Sequence, residues 1–266
     1  MKNAPVYYAL AQVQFNPIVA MEKYVGDIQD ELRRKGYTRF ERRENTQLQL
    51  GQGQTEPQVN RTVSWLMNKE DKTAGFILDT LSLTFHTTHY ATKQEFIPEL
   101  LDGLEIVHNI VKLEQINRLG LRYLDAVLPS ASENVNEYLI DQLHGINFHS
   151  KRLDYSYHES VFETECQPLV ATGKLIARVI QLTSSLGYPP GLSPHGLEPM
   201  DRFILKQPRP HAVIDTDHFV EGRIPLEFEK ISQQLSSLHD ALKKAFAAMT
   251  TNHAKKVWLN EPRNGD

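Results

Sequence analysis

The chain has 266 residues, and its 40% hydrophobic and 23% charged residues are typical of a soluble globular protein. A net charge of −4 argues against a dedicated nucleic-acid or anionic-membrane binder, because such proteins carry an excess of basic residues. The single cysteine, Cys166, excludes an internal disulfide framework, and no apolar run approaches the ~20 residues of a membrane-spanning helix, so we expect a cytoplasmic protein.

The first part of the sequence mixes strand and helix patterns. Aromatic and β-branched residues between turn residues predict strands at 6–15, 39–50, 61–69, 74–79, 82–89 and 118–125. A helix is predicted at 20–35, where Gly36 ends it. Thr92-Lys-Gln-Glu95 has the pattern of a capping box, and apolar residues then recur at helical spacing as far as Val111. A second helix is therefore predicted after Thr92.

The second part begins with a short helix predicted at 134–144. Strands are predicted at 154–165, 170–183 and 211–220, and Pro225 opens a last amphipathic helix. Residues 186–210 hold six of the fourteen prolines and three glycines, which predicts a long irregular loop. Such a loop is either a binding element or a connector.

The order β-α-β-β-β-β-α-β, followed by α-β-β-β-α, favours an α+β protein. We expect mainly antiparallel sheets with helices on one face of each. The chain then divides into two ferredoxin-like halves, 1–128 and 129–266, either separate or fused into one domain.

A polar sheet face is the main functional feature that the sequence predicts. In a strand over 118–125, Arg118 and Arg122 lie on one face, while Tyr123 lies on the other. The neighbouring predicted strand at 82–89 has an apolar side and a hydroxyl-rich side. Together the two strands present these residues on one face: Ser82, Thr84, His86, Arg118 and Arg122.

Three interpretations of this face remain open. It is a docking face whose arginines are neutralised by acids of the second half, with Asp215 and Asp217 as the expected partners. It is an anion or nucleic-acid site, since guanidinium groups bind phosphate and carboxylate in bidentate fashion. Or it is a protein interface with Arg122 and Tyr123 near a hot spot. We slightly favour the first, in which the arginine strand is a structural joint between the halves.

Two histidines offer the sharpest enzymatic hypothesis. His86-Thr-Thr88 and His158-Glu-Ser160 both match the pattern His-x-Thr/Ser of two-histidine phosphoesterases, where one imidazole acts as base and the other as acid. In a chain with eleven histidines, two such short matches arise by chance. The hypothesis requires the two imidazoles within ~8 Å of each other across a cleft, because both must reach one phosphate.

Other chemistry has weaker support. His211, Asp215 and Asp217 share a strand face and form a hard-ligand set suited to Mg²⁺ or Mn²⁺, although pairing of the acids with arginines is favoured. Cys166 lies among carboxylates, which disfavour a nucleophilic thiolate, and no nucleophile is predicted beside Asp217-His218. The sequence has no phosphate-binding glycine loop, zinc motif or dinucleotide fingerprint, so no cofactor is expected.

The chain resembles an uncharacterised, sporadically distributed bacterial family of similar length. The resemblance rests on four segments that together span most of the chain: Asn3-Ala-Pro5, Leu81-Ser-Leu-Thr-Phe85, Arg118-Leu-Gly-Leu-Arg-Tyr123 and Ile214-Asp-Thr-Asp-His-Phe219. It departs at Leu124-Asp125, where the family pattern has Ile-Asn. The resemblance implies a shared fold but no activity or cofactor. The family's patchy distribution is similar to that of mobile or antiviral-defence genes, which favours partner binding.

These observations favour a non-enzymatic binding protein that recognises a neighbour-encoded protein partner or an anionic ligand, with 186–210 as a flap. The residues expected to bind are Thr84, His86, Arg118, Arg122 and Tyr123. The alternative is a phosphodiester-directed enzyme or an RNA-binding module, similar to the two-histidine phosphoesterases or to a ferredoxin-like ribonuclease. In this alternative His86 and His158 are the acid and base.

Overall fold

The computed structural model describes residues 3–49, 58–145 and 155–259, without the side chains of 45–49 and 58–61. Its strands are β1 (Val6–Phe15), β2 (Arg39–Gln49), β3 (Gln58–Asn68), β4 (Ala74–Asp79), β5 (Ser82–Thr87), β6 (Ile116–Val127), β7 (Tyr155–Glu165), β8 (Thr172–Ser184) and β9 (Arg209–Ile224). Its α-helices are α1 (Val25–Arg34), α2 (Lys93–Val111), α3 (Phe228–Met249) and α4 (Asn252–Leu259).

All nine strands belong to one sheet, in the order β2-β3-β4-β5-β1-β6-β9-β8-β7. Every neighbouring pair is antiparallel. The α+β class and the antiparallel pairing are therefore confirmed. None of the helices in the described ranges is both long and apolar enough to cross a membrane.

The two predicted halves are joined within this sheet. β6 and β9 pair along their length, from Ile116 opposite Ile224 to Val127 opposite Ala212. The ferredoxin-like description of the halves is not confirmed. In the described part of the second half, β7, β8 and β9 follow one another without an intervening α-helix.

The short helix predicted at 134–144 is wrong. The segment forms two 3₁₀ turns, Val135–Glu137 and Asp141–Leu143. Asn134 and Glu137 cap the first turn reciprocally, and Leu139 between the turns forms a β-bridge with Thr250. This bridge holds the backbone at Leu139 extended, and an α-helix cannot continue through it.

Helices α1, α2 and α3 cover one face of the sheet, which we call the helix face. Apolar stripes such as Leu100 and Leu104 of α2 pack there with inward residues of the strands, including Phe85 and Leu121. The opposite face, the open face, has a smaller core made by Tyr7, Tyr8 and Phe203 with partly buried residues of the 186–210 loop.

The 186–210 loop is thus packed against one end of the open face. Tyr7 donates a hydrogen bond to the Gly187 carbonyl at 2.7 Å, and Thr88 donates one to the Glu198 carbonyl at 2.5 Å. These anchors lie at both ends of a segment that crosses the sheet, so the loop covers β1 and β5 on this side.

Two helix glycines provide a matched test of helix-to-sheet packing. A Cβ built at Gly103 of α2 lies 2.3 Å from Phe76 Cε1, whereas one at Gly26 of α1 has no neighbour within 4 Å. We expect Gly103→Ala to cost about 1–3 kcal/mol of unfolding free energy through overpacking. Gly26→Ala should instead leave stability unchanged or raise it by up to about 1 kcal/mol. Urea denaturation of both variants measures this, and equal effects would contradict the close approach of α2 to the sheet.

Candidate functional site

The arginine strand occupies the open face as predicted, and its side chains are paired. Nε and Nη2 of Arg122 each donate to the Asp215 carboxylate at 2.7 Å. Asp215 is fully buried, and Arg178 of β8 contacts the same carboxylate at 3.3 Å. A buried carboxylate thus lies between two guanidinium groups, one from each half of the chain.

Arg118 is held by stacking as well as by charge. Its guanidinium carbon lies 4.1 Å from the centre of the Phe219 ring, and its Nη1 donates to Gln12 Oε1 at 3.1 Å. Asp217 is 3.8 Å away. A Cβ at Gly120 would lie 3.2 Å from Arg118 Nη1, so glycine leaves the room that this guanidinium needs. Asp215 and Asp217 therefore reach the arginines, and the expectation of a structural joint between the halves is confirmed.

Thr84 and His86 lie on the open face, but both are buried. His86 is fully buried, with Nδ1 at 3.1 Å from the Tyr8 hydroxyl and its ring 6.2 Å from that of His195 in the covering loop. Burial, with a smaller contribution from His195, lowers the pKa of His86 to about 3, so the imidazole is neutral. Thr84 accepts a hydrogen bond from Gln12 at 3.1 Å.

The five predicted binding residues therefore do not form one accessible site. Tyr123 lies on the helix face, where its ring contacts Tyr90 and Phe96. Arg118 and Arg122 are used by internal carboxylates, and the loop encloses His86. The prediction treated the face as open because the sequence does not show where residues 186–210 fold back.

The two-histidine site is wrong. His86 of β5 lies on the open face, whereas His158 of β7 pairs with the core residue Val179 and lies on the helix face. Four strands separate β5 from β7 in the sheet. At ~4.8 Å per strand the two imidazoles are about 24 Å apart, too far to share one phosphate.

The proposed metal ligands are not arranged for a metal. The described residues contain no group of three or more His, Cys, Asp or Glu side chains placed to hold an ion. Asp215 is already bound by two arginines. The pattern at 211–217 therefore reflects ion pairing within the sheet.

The structure places a thiol beside His218, a contact that no local pattern in the sequence indicates. Cys166 Sγ lies 3.5 Å from His218 Nε2, and Thr164 donates to the same nitrogen at 2.7 Å. His218 Nδ1 in turn donates to the Leu238 carbonyl at 3.0 Å. Cys166 is 1% exposed and His218 is fully buried, so a substrate cannot reach them. The cluster links β7, β9 and α3 in the core.

A pocket on the helix face, also missed, lies between α2, α3 and the ends of β1 and β6. We call it the helix-face pocket; its volume is about 340 Å³ and Tyr90, Lys93, Tyr123, Asp125, His239 and Phe246 are among its lining residues. Asp125 is 3% exposed, and no hydrogen bond from the described residues contributes to the shift of its pKa. The Tyr123 hydroxyl lies 3.1 Å from His239 Nδ1.

In this pocket the order of the acid and imidazole pKa values is inverted relative to free side chains. Burial, reinforced by the Asp215 carboxylate, raises the pKa of Asp125 to about 8. Burial, with Lys93 as the next contribution, lowers the pKa of His239 to about 4. At neutral pH the acid is thus mostly protonated and the imidazole is neutral. The signal in the sequence was an acidic residue at an inward position of β6, in line with Leu121 and Tyr123.

Edge strand β7 is the second unexpected feature. It ends the sheet and exposes four large apolar side chains, which we call the β7 edge: Tyr155 (59% exposed), Tyr157 (46%), Val161 (54%) and Phe162 (51%). Strand β2 at the opposite edge is different, since charged residues such as Arg42, Arg43 and Glu44 predominate and form ion pairs along the strand. Charged edges resist pairing with other chains, and apolar edges favour it.

Comparisons with protein-family models, curated proteins and solved structures gave no match to the chain. The resemblance to a bacterial family, and the defence association that it implies, therefore stay predictions.

Removing Arg122 from its buried ion pair with Asp215 tests whether this contact between the two halves stabilises the fold. We expect Arg122→Met to lower the unfolding free energy by about 3–5 kcal/mol, because the buried Asp215 carboxyl loses its bidentate partner and only Arg178 remains beside it. The double variant Arg122→Met/Asp215→Leu should recover much of this loss. Arg33→Met removes an exposed pair with Asp30 on α1 and should cost less than about 1 kcal/mol. Equal losses for Arg122→Met and Arg33→Met in chemical denaturation would show that the joint is dispensable.

The raised pKa of Asp125 predicts a specific pH dependence. The folded-state pKa of about 8 exceeds the usual 3.8, so the folded protein binds one more proton than the unfolded chain between these values. Stability should therefore fall as pH rises from 4 to 8, by on the order of 1 kcal/mol per pH unit from this group. In Asp125→Asn this contribution is absent, so the variant's stability relative to wild type should increase steadily over that range and level off above it.

The matched control for this titration is Asp240→Asn at the pocket rim. The hydrogen bond from Lys93 lowers the pKa of Asp240, so its contribution changes only under more acidic conditions. Thermal unfolding between pH 5 and pH 8 should separate the two variants. A constant difference between wild type and Asp125→Asn across that range would contradict the raised pKa.

Proposed function

We propose that this protein is a non-enzymatic binding protein that recognises a protein partner through the β7 edge. The partner would add an extended segment to β7 as a further strand of the sheet. The observation that carries this proposal is the exposure of four large apolar side chains along a terminal strand.

Sheet-edge physics supports strand addition. A terminal strand presents backbone N–H and C=O groups on its outer side, and these groups hydrogen-bond to an incoming strand. β7 extends over eleven residues, Tyr155–Glu165, which is long for an edge strand. Its apolar side chains point to both faces, so an added strand would cover Val161 on one side and Phe162 on the other.

Neighbouring residues of the open face would extend this surface. Val161 lies directly opposite the half-buried Ile176 of β8. The Arg118–Phe219 stack lies on the same face, with Phe219 on β9 two strands in from β7 and Arg118 on β6 three strands in. Aromatic residues with arginine are the composition typical of interface hot spots. Arg118, which the sequence places among the ligand- or partner-binding residues, would form the inner margin of this protein surface, with its charge already close to Asp217.

The charge on β7 indicates the chemistry of the partner. Glu159 is paired with Arg178 at 2.7 Å, whereas Glu163 and Glu165 are exposed on the same strand. Tyr157, Val161, Glu163 and Glu165 all lie on the open face. We expect a segment whose residues on that face are apolar opposite Tyr157 and Val161 and basic opposite the exposed Glu163 and Glu165.

The phosphodiester-directed alternatives have less support. Their acid and base would be His86 and His158, which lie on opposite faces of the sheet, and their phosphate ligands would be Arg118 and Arg122, which contact carboxylates. The cytoplasmic location and the neighbour-encoded origin of the partner remain part of the proposal.

A pair of edge variants tests the proposal. Tagged wild type, Val161→Lys and Phe40→Lys are used to capture proteins from the native host, with mass spectrometry as readout. Both substitutions replace an exposed apolar residue on an edge strand, at 54% and 47% exposure, so both should fold. We expect a captured partner to bind Val161→Lys at least about tenfold more weakly, and Phe40→Lys as well as wild type.

Hydrogen exchange on the purified complex locates the contact. Amides within 155–165 should gain protection when the partner binds. Unchanged binding by Val161→Lys, or protection confined to other segments, would overturn the proposal. If light scattering instead shows a dimer of this chain that Val161→Lys dissociates, the occupant of the β7 edge is a second copy and the proposal of a different partner is wrong.

A further inference from the structure

We propose that the helix-face pocket binds a small organic ammonium compound, with the Asp125 carboxylate as its counter-ion. The pocket lies on the opposite side of the sheet from the open face, between α2 and α3. It is therefore independent of partner binding at the β7 edge, and either proposal can fail without the other.

The size and lining of the pocket suit a compound of about one ring. Its volume of about 340 Å³ is at the lower end of the range for ligand sites. Tyr90 and Tyr123 form an aromatic corner, with ring centres 5.1 Å apart and planes at 79°, and Phe246 contributes another ring to the lining. Aromatic faces attract ammonium groups as well as apolar carbon.

Asp125 supplies the specific polar contact. Two carboxylates line the pocket, and Asp240 is already bound to Lys93 at 2.7 Å. No cation in the described part of the chain pairs with Asp125, which is 3% exposed. The described residues supply the Asp125 carboxyl with no cation, and the carboxyl lines the pocket, where an ammonium group can donate hydrogen bonds to it.

Among the described lining residues, Asp125 has the only carboxyl group without a cationic partner. From α2, Lys93 is neutralised by Asp240. From α3, Lys243 is exposed at the rim, and His239 is uncharged and near the Tyr123 hydroxyl. Lys243 and the start of α2 would instead favour an anionic ligand, which makes the charge of the ligand the decisive test.

Binding exchanges one proton. In the free protein at neutral pH, Asp125 is mostly protonated. When an ammonium group approaches, the carboxyl releases its proton to solvent, and the resulting carboxylate accepts hydrogen bonds from the ammonium. Affinity should therefore rise as pH increases from 6 towards 8, by up to about tenfold per pH unit, and then level off.

Three probes with the same ring and different head groups provide the test: benzylamine, benzyl alcohol and benzoate. Calorimetry near pH 7 in two buffers of different ionisation enthalpy gives both affinity and proton release. We expect benzylamine to bind at least about tenfold more tightly than the other two, with close to one proton released. Asp125→Asn should abolish this preference, whereas Asp102→Asn, which removes an exposed carboxylate of α2 outside the pocket, should retain it.

Two controls keep the outcome clear. The pH-dependent unfolding of Asp125→Asn shows that the variant is folded, and amide shifts in NMR locate the bound probe. The proposal is overturned if benzoate binds more tightly than benzylamine, if Asp125→Asn binds benzylamine as well as wild type, or if the shifts map away from the pocket. Absence of binding by all three probes at millimolar concentration would also overturn it.

Discussion

The buried Asp215 carboxylate, held by Arg122 and Arg178, is the constraint on which the rest of the sheet depends. It lies at the centre of the contact between the two halves of the chain, and its negative charge is stable there only with both guanidinium groups in place. A shift of β9 by one residue would move this charge to the helix face among apolar side chains. The ion pair therefore fixes the register of β6 against β9, and with it the position of every strand on either side.

Much of this arrangement could be predicted because it follows from local periodicity. Alternation in 118–125 placed Arg118 and Arg122 on one face and Tyr123 on the other, and the spacing of Asp215 and Asp217 matched them with acids. Helical spacing located α2 and α3 for the same reason. These features depend on residues close together in the chain, where side-chain direction is set by backbone geometry alone.

The predictions that were wrong concern features that depend on contacts between segments distant in the sequence. Whether His86 and His158 meet is decided by strand order, and four strands turn out to lie between them. The burial of His86 is decided by the path of 186–210 across the sheet, which no local pattern encodes. The segment 134–144 has a helical pattern, but Leu139 forms a β-bridge with Thr250, more than a hundred residues away, and this bridge prevents an α-helix there. Asp125 carried a local signal, an acid at an inward strand position, but the pocket beside it exists only because α3 packs near β6.

The arginine strand differs from the two candidate binding sites, the helix-face pocket and the β7 edge, in how many of its polar groups have partners within the protein. Arg118 and Arg122 stand out in the sequence, yet each has an internal partner, so their charge is used to join the halves. Asp125 and β7 stand out less, but the described structure provides neither a cationic partner for the carboxyl nor a strand beside the edge. A carboxyl group without a cationic partner at a pocket wall, and an uncovered apolar edge strand, are both positions where a bound molecule would add interactions. Interactions that the fold leaves incomplete are therefore better guides to binding here than the strongest charges, and they place the two candidate contacts on separate parts of the sheet.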